Sequence, residues 1–594
     1  MSRRSGTSTS WRRPFCRRSL VVGLVLVIVA LAALGKLAYI QLFDGRSMAQ
    51  AAAESRTVPH TIKAQRGRIL DVNGRVLAQS LERYTIVGDP KAAADFVPID
   101  CTKKTEENCH SIGGNPVGAD GAAGVARLLA PELNMNAMEL GGKLSVPGRY
   151  VILAKQVTPE VKRSIDKLGL AGIITAELSS ERTYPHADLM GSLIGGIDAE
   201  GKGVAGLEQL ENRQLTGKDG YEVYQQGMLG QQIPGTVTRS NPPENGKDVR
   251  LTIDQDVQWY VRQALKTGRD RFHADWALAV VQDTHTNQIV ALADTDDYLA
   301  GSDDAKIHSS RAVAETFEPG SIGKTIAISG MLQEQLHTMS DKFTVPDHIT
   351  VDNQQYKDAF DHPTERWTLA GILQNSSNVG MVMAGDKYPD QKRYDYLTRF
   401  GIGQPSALGL PGESKGLLTT PQTWDRRTRN TVLFGQGYAT NAIQLTNAVA
   451  TLANKGVRSD QSIILSEGKT NANQVRVVDE AVAASLMNGM ESVAELYQNT
   501  ARVEGYRVAS KTGTAEVADD SGMLTGIISD WVGVLPADDP HFVVTVVLKN
   551  PKSSDGVFGS ITAGPVFAQI GEFLMQKYRV PASSPRTDAI PVEW

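Results

Sequence analysis

The chain has 594 residues, of which 41% are apolar and 21% charged. This length exceeds what one hydrophobic core usually organises, so it predicts two or more folded domains rather than a disordered chain. The 61 basic and 66 acidic residues nearly cancel, so there is no cationic excess for a phosphate backbone, and nucleic acid is not an expected partner. Three Cys without a Cys-x-x-Cys pair and 10 His without zinc-ligand spacing predict neither a disulfide scaffold nor a metal site.

An apolar segment near the amino terminus predicts a membrane anchor. The 15 uncharged residues Leu20–Leu34 follow an arginine-rich stretch, and apolar character resumes over Leu37–Phe43 after the single Lys36. A bilayer core needs about 20 residues and Lys36 can reach the interface, so residues 19–43 suffice for one span. The arginines predict a cytoplasmic tail at residues 1–18 and an external remainder. Cleavage as a signal peptide near Ala30-Leu31-Ala32 is the alternative, which the length of the apolar run disfavours.

Turn signals and periodicity organise the chain after the anchor. Asn73-Gly74 predicts a hairpin turn between two apolar strands, and polar, Gly-rich residues 100–124 predict an exposed insertion. Cys101 and Cys109 can close a short loop there if the region faces an oxidising compartment, and the sequence leaves this open. The breaker-rich segment Ser240–Lys247 predicts a domain boundary. The predicted elements before it are helices at Val125–Ala130, Thr158–Leu168 and Val204–Leu215 and a strand at Tyr150–Leu153.

The part of the chain beyond this boundary predicts one sheet with helices. The predicted strands are Trp276–Val281, Ile289–Ala293, Val508–Val517, Ser529–Leu535 and Phe542–Leu548. The predicted helices are Ser321–Gln335, Leu369–Lys387 and Pro565–Lys577. Helices lying between or after such strands indicate an α+β domain with a mainly antiparallel five-stranded sheet.

The motif Ser321-Ile322-Gly323-Lys324 predicts a nucleophile and its base. It opens a helical pattern, which places the serine in the first turn and Lys324 one turn later on the same face. A lysine accepts a serine proton only when it is neutral part of the time, and burial beside another cation lowers the pKa of an amine in that direction. The spacing alone is weak, because chance supplies about two Ser-x-x-Lys matches in such a chain. Ser164-Ile165-Asp166-Lys167 is one such match, which we assign to a solvated helix.

Two further polar motifs follow. Ser376-Ser377-Asn378 supplies a hydroxyl that can relay a proton and an amide that can hold a peptide carbonyl. Lys511-Thr512-Gly513-Thr514 lies in a predicted strand, where the small Gly513 lets a substrate backbone approach and Thr514 can bind a carboxylate. The earlier triplet Lys266-Thr267-Gly268 lies in an amphipathic helix and is assigned to the surface.

The order of the three motifs resembles that of penicillin-binding proteins. Ser-x-x-Lys, Ser-x-Asn and Lys-Thr-Gly, on a helix, a turn and a strand, form the motif set shared by these proteins and class A β-lactamases. The surrounding segments resemble class B penicillin-binding proteins, most closely their division-specific, FtsI-like branch. These segments are Phe317–Gly320, Phe434–Gly437 and Val534–Pro540, together with Arg66–Asp71, Arg182–Pro185 and Gly203–Glu208 in a pedestal domain. The insertion around Cys101 and Cys109 is not part of the resemblance.

The resemblance implies a domain organisation and a reaction. A mixed α/β pedestal of the dimerisation type would occupy residues 44–245, a transpeptidase domain residues 246–580, and a tail residues 581–594. Ser321 would attack a D-alanyl-D-alanine stem peptide and lose its proton to Lys324, and a second strand's amine would resolve the acyl-enzyme in septal cell-wall synthesis.

The resemblance also implies the remaining residue roles and the partners. Ser376 and Lys511 would manage protons, Asn378 would orient the acyl chain, and Thr512, Gly513 and Thr514 would contact the substrate, with the amides of Ser321 and Thr514 forming an oxyanion hole. β-Lactams would acylate the same serine. No metal or cofactor is implied, and the implied protein partners are an FtsW-type glycosyltransferase and other division proteins.

Several alternatives share part of this chemistry. A β-lactamase would need a deacylating group, and no Glu-x-x-Leu-Asn follows the Ser-x-Asn motif. A glycan-polymerising synthase is disfavoured because the first domain lacks the paired-carboxylate motif. A D,D-carboxypeptidase stays open because sequence does not distinguish water from an amine as the acceptor. A catalytically idle β-lactam-binding scaffold or sensor also stays open, although all three motifs are intact.

Overall fold

The computed structural model describes residues 12–41, 45–102, 109–227, 233, 235–302, 306–466, 473–518 and 524–594. The chain divides into two compact units. Unit 1 extends to Ala64 and includes Glu82–Ser180 and Lys218–Glu244, and unit 2 contains Gln65–Leu81, Glu181–Gly217 and Asn245–Trp594. The last change of unit therefore falls within the boundary predicted at Ser240–Lys247, whereas two segments predicted as pedestal group with the carboxyl-terminal residues.

Short elements dominate the first 250 residues. The helices are α1 (Arg12–Tyr39), α2 (Gly45–Arg56), α3 (Pro90–Ala94), α4 (Gly121–Leu133), α5 (Ala137–Lys143), α6 (Pro159–Asp166), α7 (Gly191–Ile194), α8 (Gly206–Leu210) and α9 (Asn212–Leu215). The strands are β1 (Thr57–Ile62), β2 (Ile69–Leu70), β3 (Val76–Gly88), β4 (Ser111–Ile112), β5 (Asn115–Pro116), β6 (Val151–Val157), β7 (Ile174–Thr183), β8 (Gly196–Ile197), β9 (Gly203–Ala205), β10 (Gly220–Gln225), β11 (Arg239–Asn241) and β12 (Val249–Arg250).

Longer elements follow. The helices are α10 (Gln255–Arg271), α11 (Arg311–Ala314), α12 (Lys324–Gln333), α13 (Leu369–Gln374), α14 (Asn378–Ala384), α15 (Asp390–Arg399), α16 (Thr428–Thr431), α17 (Ala442–Ala453), α18 (Glu480–Leu496), α19 (Gln498–Ala501) and α20 (Gly559–Lys577). The strands are β13 (Trp276–Asp283), β14 (Ile289–Asp294), β15 (Lys342–Val345), β16 (His348–Val351), β17 (Gln354–Lys357), β18 (Glu365–Thr368), β19 (Val457–Ser459), β20 (Gln474–Arg476), β21 (Ala509–Ala518), β22 (Leu524–Leu535) and β23 (Phe542–Lys549).

Helix α1 contains the predicted anchor. Its segment Arg17–Tyr39, 23 residues long, is apolar enough to cross a membrane, and its apolar side chains are exposed, from Leu20 at 73% to Tyr39 at 50%. A helix with exposed apolar side chains all around it is what a lipid environment accommodates.

Unit 1 contains a sheet and a small helical core. Strands β1, β10 and β11 form an antiparallel sheet in that order, with Thr57 opposite Gln225. The core packs α4, α5 and α6 around residues such as Leu129 and Ile165. Helix α6 begins at Pro159 because the Thr158 side chain accepts a hydrogen bond from the backbone N–H of Val161. The bond between Cys101 and Cys109, which the sequence left open, is formed as a disulfide.

The predicted hairpin at Asn73-Gly74 is confirmed in unit 2. Strands β2 and β3 pair antiparallel, with Ile69 opposite Ala78, and Gly74 adopts a positive φ of 85° that favours glycine. The buried Asp71 fixes the turn, because one carboxylate oxygen accepts hydrogen bonds of 2.8 Å from the backbone N–H groups of Asn73 and Arg75.

The family-like segments upstream meet at one buried carboxylate. Glu208 is fully buried, and its two oxygens lie 2.7 Å from Nε of Arg66 and Nε of Arg182. Because a buried carboxylate is costly unless paired, this arrangement explains why three distant segments carry charged residues.

The main sheet of unit 2 confirms the five predicted strands. Its order is β14-β13-β23-β22-β21, and each neighbouring pair is antiparallel. Both faces are buried: Ala277 and Ala279 pack with α10 and α20, whereas Leu278 and Val280 face the core that contains α17. This alternation along β13 explains its continuous apolar sequence.

Three predicted helices differ from the structure. The helix predicted at Val204–Leu215 is the strand β9 followed by the short helices α8 and α9, because Ala205 is extended and Gly206 has a positive φ of 55°. The helix predicted at Leu369–Lys387 is two helices, α13 and α14, because Ser376 has a φ of 58° and Ser377 caps α14 through the backbone N–H of Gly380. The helix predicted from Pro565 begins six residues earlier at Gly559, with Pro565 inside α20.

The predicted carboxyl-terminal tail is part of unit 2 and packs against β18 and the start of α13. Thr368, which caps α13, donates its backbone N–H to the Val592 carbonyl at 3.0 Å and its hydroxyl to the Pro591 carbonyl at 2.7 Å. Trp594 donates its backbone N–H to the Arg366 carbonyl at 3.1 Å. The tail thereby contacts the helix that leads into the Ser376 motif.

Candidate active site

Ser321 and Lys324 lie on one face of a helical turn, as predicted. A 3-10 turn, Gly320–Gly323, runs directly into α12, and Ser321 Oγ lies 2.7 Å from Lys324 Nζ. Gly320 is required for this turn, because its φ is +50° and a Cβ there would lie 2.8 Å from the Thr514 carbonyl oxygen. The turn is thus pressed against the Lys-Thr-Gly strand.

The Phe434–Gly437 segment supports the same turn from another side. A Cβ on Gly435 would lie 1.7 Å from the Gly320 carbonyl oxygen, and one on Gly323 would lie 2.6 Å from the Gly435 Cα. The backbone N–H of Gly437 donates to a Glu318 carboxylate oxygen at 2.7 Å. Close backbone packing of this kind explains the glycines of that segment.

The Lys324 amine is fully buried among oxygen atoms. Its Nζ lies 2.7 Å from Asn378 Oδ1 and 2.8 Å from the Ser376 carbonyl oxygen, in addition to Ser321 Oγ. Burial and the positive charge of Lys511 hold the pKa of Lys324 well below its usual value, while the Asp358 carboxylate opposes that shift. An amine of this kind is able to take a proton from Ser321.

The Ser-x-Asn motif is held in a strained conformation between α13 and α14. Ser376 is in the left-handed region, which places its Oγ 3.4 Å from Lys324 Nζ and 2.9 Å from Lys511 Nζ. A non-glycine residue in this region costs free energy, and such strain is typical of active sites. The Ser376 hydroxyl therefore connects the two lysines.

The third motif brings a second buried amine to the site. Lys511 lies on β21, is fully buried, and donates to Ser376 Oγ at 2.9 Å and to the Thr512 carbonyl at 3.2 Å. Burial lowers the pKa of Lys511 to about 7, against the opposing charge of Asp530. Its proton is consequently exchangeable near neutral pH.

The residues after Lys511 line the same strand. Thr512 is 9% exposed, and the partly exposed Thr514 accepts a hydrogen bond of 3.4 Å from the backbone N–H of Gly559 at the start of α20. The need for a glycine at position 513 has a structural reason that the sequence did not indicate. A Cβ on Gly513 would lie 1.9 Å from a carboxylate oxygen of Asp530 and 2.7 Å from the Pro319 carbonyl oxygen, so its missing side chain leaves space for protein atoms.

Asp358 is a site residue that sequence reasoning missed. One of its oxygens accepts from the backbone N–H groups of Asn378 and Val379, at 2.6 and 2.9 Å, and the other accepts from the Ser377 hydroxyl at 2.6 Å. Because it follows strand β17, about twenty residues before the motif, no local pattern marks it. Its carboxylate nevertheless holds the turn that places Ser376.

The two look-alike motifs lie outside this site. Ser164 is in α6 of unit 1, with Lys167 as the residue that ends the helix. Lys266 and Thr267 are in α10, and Gly268 is buried, since a Cβ there would lie 2.5 Å from a Val566 methyl carbon. The helix is confirmed, but its glycine packs against α20 rather than facing solvent.

Two family profiles match the chain. The penicillin binding protein transpeptidase domain matches residues 277–572, which contain the three motifs. The penicillin-binding protein dimerisation domain matches residues 61–251.

Curated relatives and solved structures agree with these matches. The chain is 30% identical over 590 residues to the penicillin-binding protein PbpB of Mycolicibacterium smegmatis, covering 94% of this chain and 90% of that protein. It is 30% identical over 564 residues to the peptidoglycan D,D-transpeptidase FtsI of Escherichia coli K12, covering 93% and 90%. A peptidoglycan synthetase structure from Bifidobacterium adolescentis has 59% identity and a TM-score of 0.75, covering 91% of this chain and 100% of that one. Penicillin binding protein 3 of Mycobacterium tuberculosis, complexed with aztreonam, has 25% identity and a TM-score of 0.66, covering 90% and 100%.

Proposed function

The chain belongs to the class B penicillin-binding proteins, and from that premise we propose that Ser321 is the nucleophile with which it cross-links peptidoglycan stem peptides. The chain is a serine D,D-transpeptidase that β-lactams inhibit. The observation that carries the residue assignment is the 2.7 Å separation between Ser321 Oγ and the fully buried Nζ of Lys324.

Acylation begins with proton transfer from Ser321 to Lys324. The serine oxygen attacks the carbonyl carbon of the penultimate D-alanine, and the backbone N–H groups of Ser321 and Thr514 stabilise the oxyanion. The peptide C–N bond then breaks, and the amine of the terminal D-alanine takes a proton through the Ser376 hydroxyl, which bridges Lys324 and Lys511.

Deacylation repeats these steps in reverse with another amine. The amine of a second stem peptide attacks the ester and loses a proton to Lys324, and Ser321 Oγ recovers its proton as the ester C–O bond breaks. Asn378 orients the acyl chain from its place beside Lys324, and Thr512, Gly513 and Thr514 contact the donor peptide along β21. A β-lactam acylates Ser321 in the same way, but the remainder of its ring stays attached and blocks the acceptor.

The proposal extends to the membrane arrangement of this single-pass protein. The arginine-rich amino terminus, residues 1–18, lies in the cytoplasm, residues 19–43 span the membrane, and the catalytic residues lie on the outer face. The disulfide between Cys101 and Cys109 supports this orientation, because disulfides persist in oxidising compartments.

Domain roles and partners complete the proposal. Residues 44–245 act as the pedestal, residues 246–580 carry out transpeptidation, and residues 581–594 form the tail. Similarity to FtsI supports a septal role beside an FtsW-type glycosyltransferase, which would polymerise the glycan strands that this chain cross-links.

Intact-protein mass spectrometry tests the nucleophile. The full-length protein in detergent is incubated with benzylpenicillin, and a stable adduct is expected on the wild type and on Ser164→Ala but not on Ser321→Ala. Ser164→Ala is a matched control because it has the same Ser-x-x-Lys spacing. An adduct on Ser321→Ala, or no adduct on folded wild-type protein, would contradict the assignment.

A further inference from the structure

A carboxylate without a hydrogen-bond partner lies beneath the Lys-Thr-Gly strand. Asp530 is on β22 directly opposite Gly513 on β21, and it is 1% exposed. Neither of its carboxylate oxygens has a hydrogen-bond partner among the described residues. A buried carboxyl group in this condition costs folding free energy, so its presence requires an explanation other than stability.

The groups around Asp530 indicate which charged residue its carboxylate acts on. Its carboxylate fills the space that a Cβ on Gly513 would occupy, and the Pro319 carbonyl borders the same space. The backbone of Gly559 packs against its carbonyl. Lys511 and Gly513 are two residues apart on β21, so the Lys511 side chain lies on the same face of the sheet as the Asp530 carboxylate that fills the Gly513 Cβ space. Among the described residues, Lys511 is the charged group that acts on the Asp530 carboxyl, and Asp530 is the charged group that acts on Lys511.

The charge of Lys511 in turn affects the protonation of Lys324, the proposed base. The charged groups that act on Lys324 are Lys511, which disfavours a proton on it, and Asp358, which favours one. A negative charge at Asp530 favours the protonated form of Lys511, and that positive charge disfavours a second one on Lys324. Burial itself raises the pKa of Asp530 and lowers that of Lys511, while each group's charge opposes the shift of the other.

We propose that Asp530 is a positioning residue of transpeptidation, whose carboxylate keeps the proton on Lys511 and thereby keeps Lys324 free to accept the proton of Ser321. This inference rests on the proposed function, because it takes Lys511 as a proton donor and Lys324 as the base of the proposed mechanism. Asp530 itself touches neither substrate nor reacting atoms.

The pH dependence of acylation by benzylpenicillin tests the role of Asp530. Rate constants are measured between pH 5 and 10 in full-length wild type, Asp530→Asn, Asp530→Ala and the exposed control Asp270→Asn. Without the carboxylate, Lys511 loses its proton at lower pH and Lys324 retains its proton to higher pH. Both limbs of the bell-shaped profile therefore move inward, by about one pH unit or more each, and the rate at the optimum falls at least about tenfold.

Different measurements test the role of Asp530 and the proposed function. Acylation of the wild type at Ser321 tests the function, whereas the shape of the variants' profiles tests Asp530. A uniform fall at every pH, or unchanged limbs, would overturn the electrostatic role and leave a packing role. The folded fraction of each variant at each pH is measured by thermal melting and divided out of its rate constant, so a destabilised variant still reports its profile. If Asp530→Asn does not fold, Asp530→Ala carries the test.

A separate cluster lies at one end of the same sheet. His285 is in the turn between β13 and β14, and Asp539 and His541 are in the turn between β22 and β23. One donor atom from each side chain lies within 4.8 Å of the others. His541 Nε2 is 3.3 Å from an Asp539 oxygen, and the two imidazole rings are 4.8 Å apart at 84°.

The two turns are fixed to each other by backbone contacts. Asp283 pairs with Phe542 at the ends of β13 and β23, and Thr284 donates its backbone N–H to the His541 carbonyl at 2.9 Å. The Thr284 hydroxyl donates to the Pro540 carbonyl at 2.5 Å. The three side chains are therefore brought together by the fold, and spacing along the sequence does not reveal them.

We infer that His285, Asp539 and His541 bind one divalent transition metal ion, with Zn²⁺ the best fit to two imidazoles and one carboxylate. Water would complete a four-coordinate site, because the cluster is accessible to solvent. A metal ion here would cross-link the two turns and so stabilise that end of the sheet.

Titration of the tag-free, full-length protein with ZnCl₂ tests the site. One equivalent of Zn²⁺ is expected to bind the wild type and to raise its melting temperature, with affinity falling at least about tenfold in His285→Ala and in His541→Ala. His348→Ala is the matched control, because His348 is an exposed histidine beside a single carboxylate, Asp347. Co²⁺ substitution should give the visible absorption bands of a four-coordinate site. No saturable binding, or equal binding by a variant that combines His285→Ala with His541→Ala, would overturn the assignment.

Discussion

The hydroxyl oxygen of Ser376 lies 2.9 Å from the amine nitrogen of Lys511. The same oxygen lies 3.4 Å from the Lys324 nitrogen, so one rotatable hydroxyl is within reach of both buried amines. Because Lys324 in turn lies 2.7 Å from Ser321, these contacts support the proposed path of protons between the nucleophile and the leaving group. The strained backbone of Ser376 is what places this hydroxyl between the lysines.

Replacing Ser376 by Ala should slow acylation without destabilising the fold. We expect the rate of acylation by a fluorescent penicillin to fall about 10²–10⁴-fold, because a proton relay is lost, with little change in melting temperature. Ser377→Ala provides the contrast, since Ser377 is buried and donates to Asp358. Its loss should lower the free energy of unfolding by about 1–3 kcal/mol. Equal acylation rates in Ser376→Ala and wild type would refute the relay.

Replacing Asn378 by Asp should move the acid limb of the pH profile to higher pH. Asn378 Oδ1 lies 2.7 Å from Lys324 Nζ, so a carboxylate there would raise the pKa of Lys324, which burial and Lys511 hold well below its usual value. If the neutral amine is the base, as proposed, the rate falls as pH falls through this pKa, and raising the pKa moves that fall upward by about 1–3 pH units. Acylation rates between pH 5 and 10 measure the limb. Asn375→Asp, an exposed change at the end of α13, should leave it in place.

Replacing Asp358 by Asn should weaken both the site and the fold. Its carboxylate accepts from Ser377, Asn378 and Val379, and we expect the free energy of unfolding to fall by about 1–3 kcal/mol. Since its charge favours the protonated form of Lys324, the acid limb should move to lower pH, opposite to Asn378→Asp. Thermal melts and the acylation profile measure the two effects. The exposed Asp361→Asn on the same loop should change neither, and a limb that stays in place in Asp358→Asn would count against this role.

The sequence predicted the elements that periodicity defines and missed those that depend on tertiary packing. The five strands around Trp276–Asp283 were predictable because their apolar runs are bounded by turn residues. The break at Ser376 was not, because its strain is stabilised by contacts with Lys324 and Lys511, which are distant in sequence. Asp358 and Asp530 could not be predicted either, because their roles depend on contacts that only the fold creates. Asp358 binds the turn that begins at Ser377, and Asp530 lies opposite Gly513.

The cysteines give a prediction about the compartment. The protein has three Cys, and Cys101 is bonded to Cys109, so membranes purified without reductant should yield one alkylated thiol per denatured chain and three after reduction. Mass spectrometry of the peptides should locate the first label on Cys16. Three free thiols before reduction would contradict the disulfide, and with it the support it gives to an external location.

Removing the last four residues, Pro591–Trp594, should destabilise the helix that leads into the Ser376 motif. Thr368, which caps α13, would lose hydrogen bonds to the carbonyls of Pro591 and Val592, and β18 would lose the backbone contact of Trp594. At roughly 1 kcal/mol per bond, and about 2–4 °C per kcal/mol, the melting temperature should fall by several degrees. Acylation should slow as well, because α13 ends next to Ser376.

Trp594→Ala retains the backbone bonds and loses the ring that stacks on Lys342 and Arg366, so its effect should be smaller. Differential scanning fluorimetry and penicillin acylation of the full-length protein and both variants measure this, and an unchanged melting temperature in the truncated chain would show that the tail does not support α13.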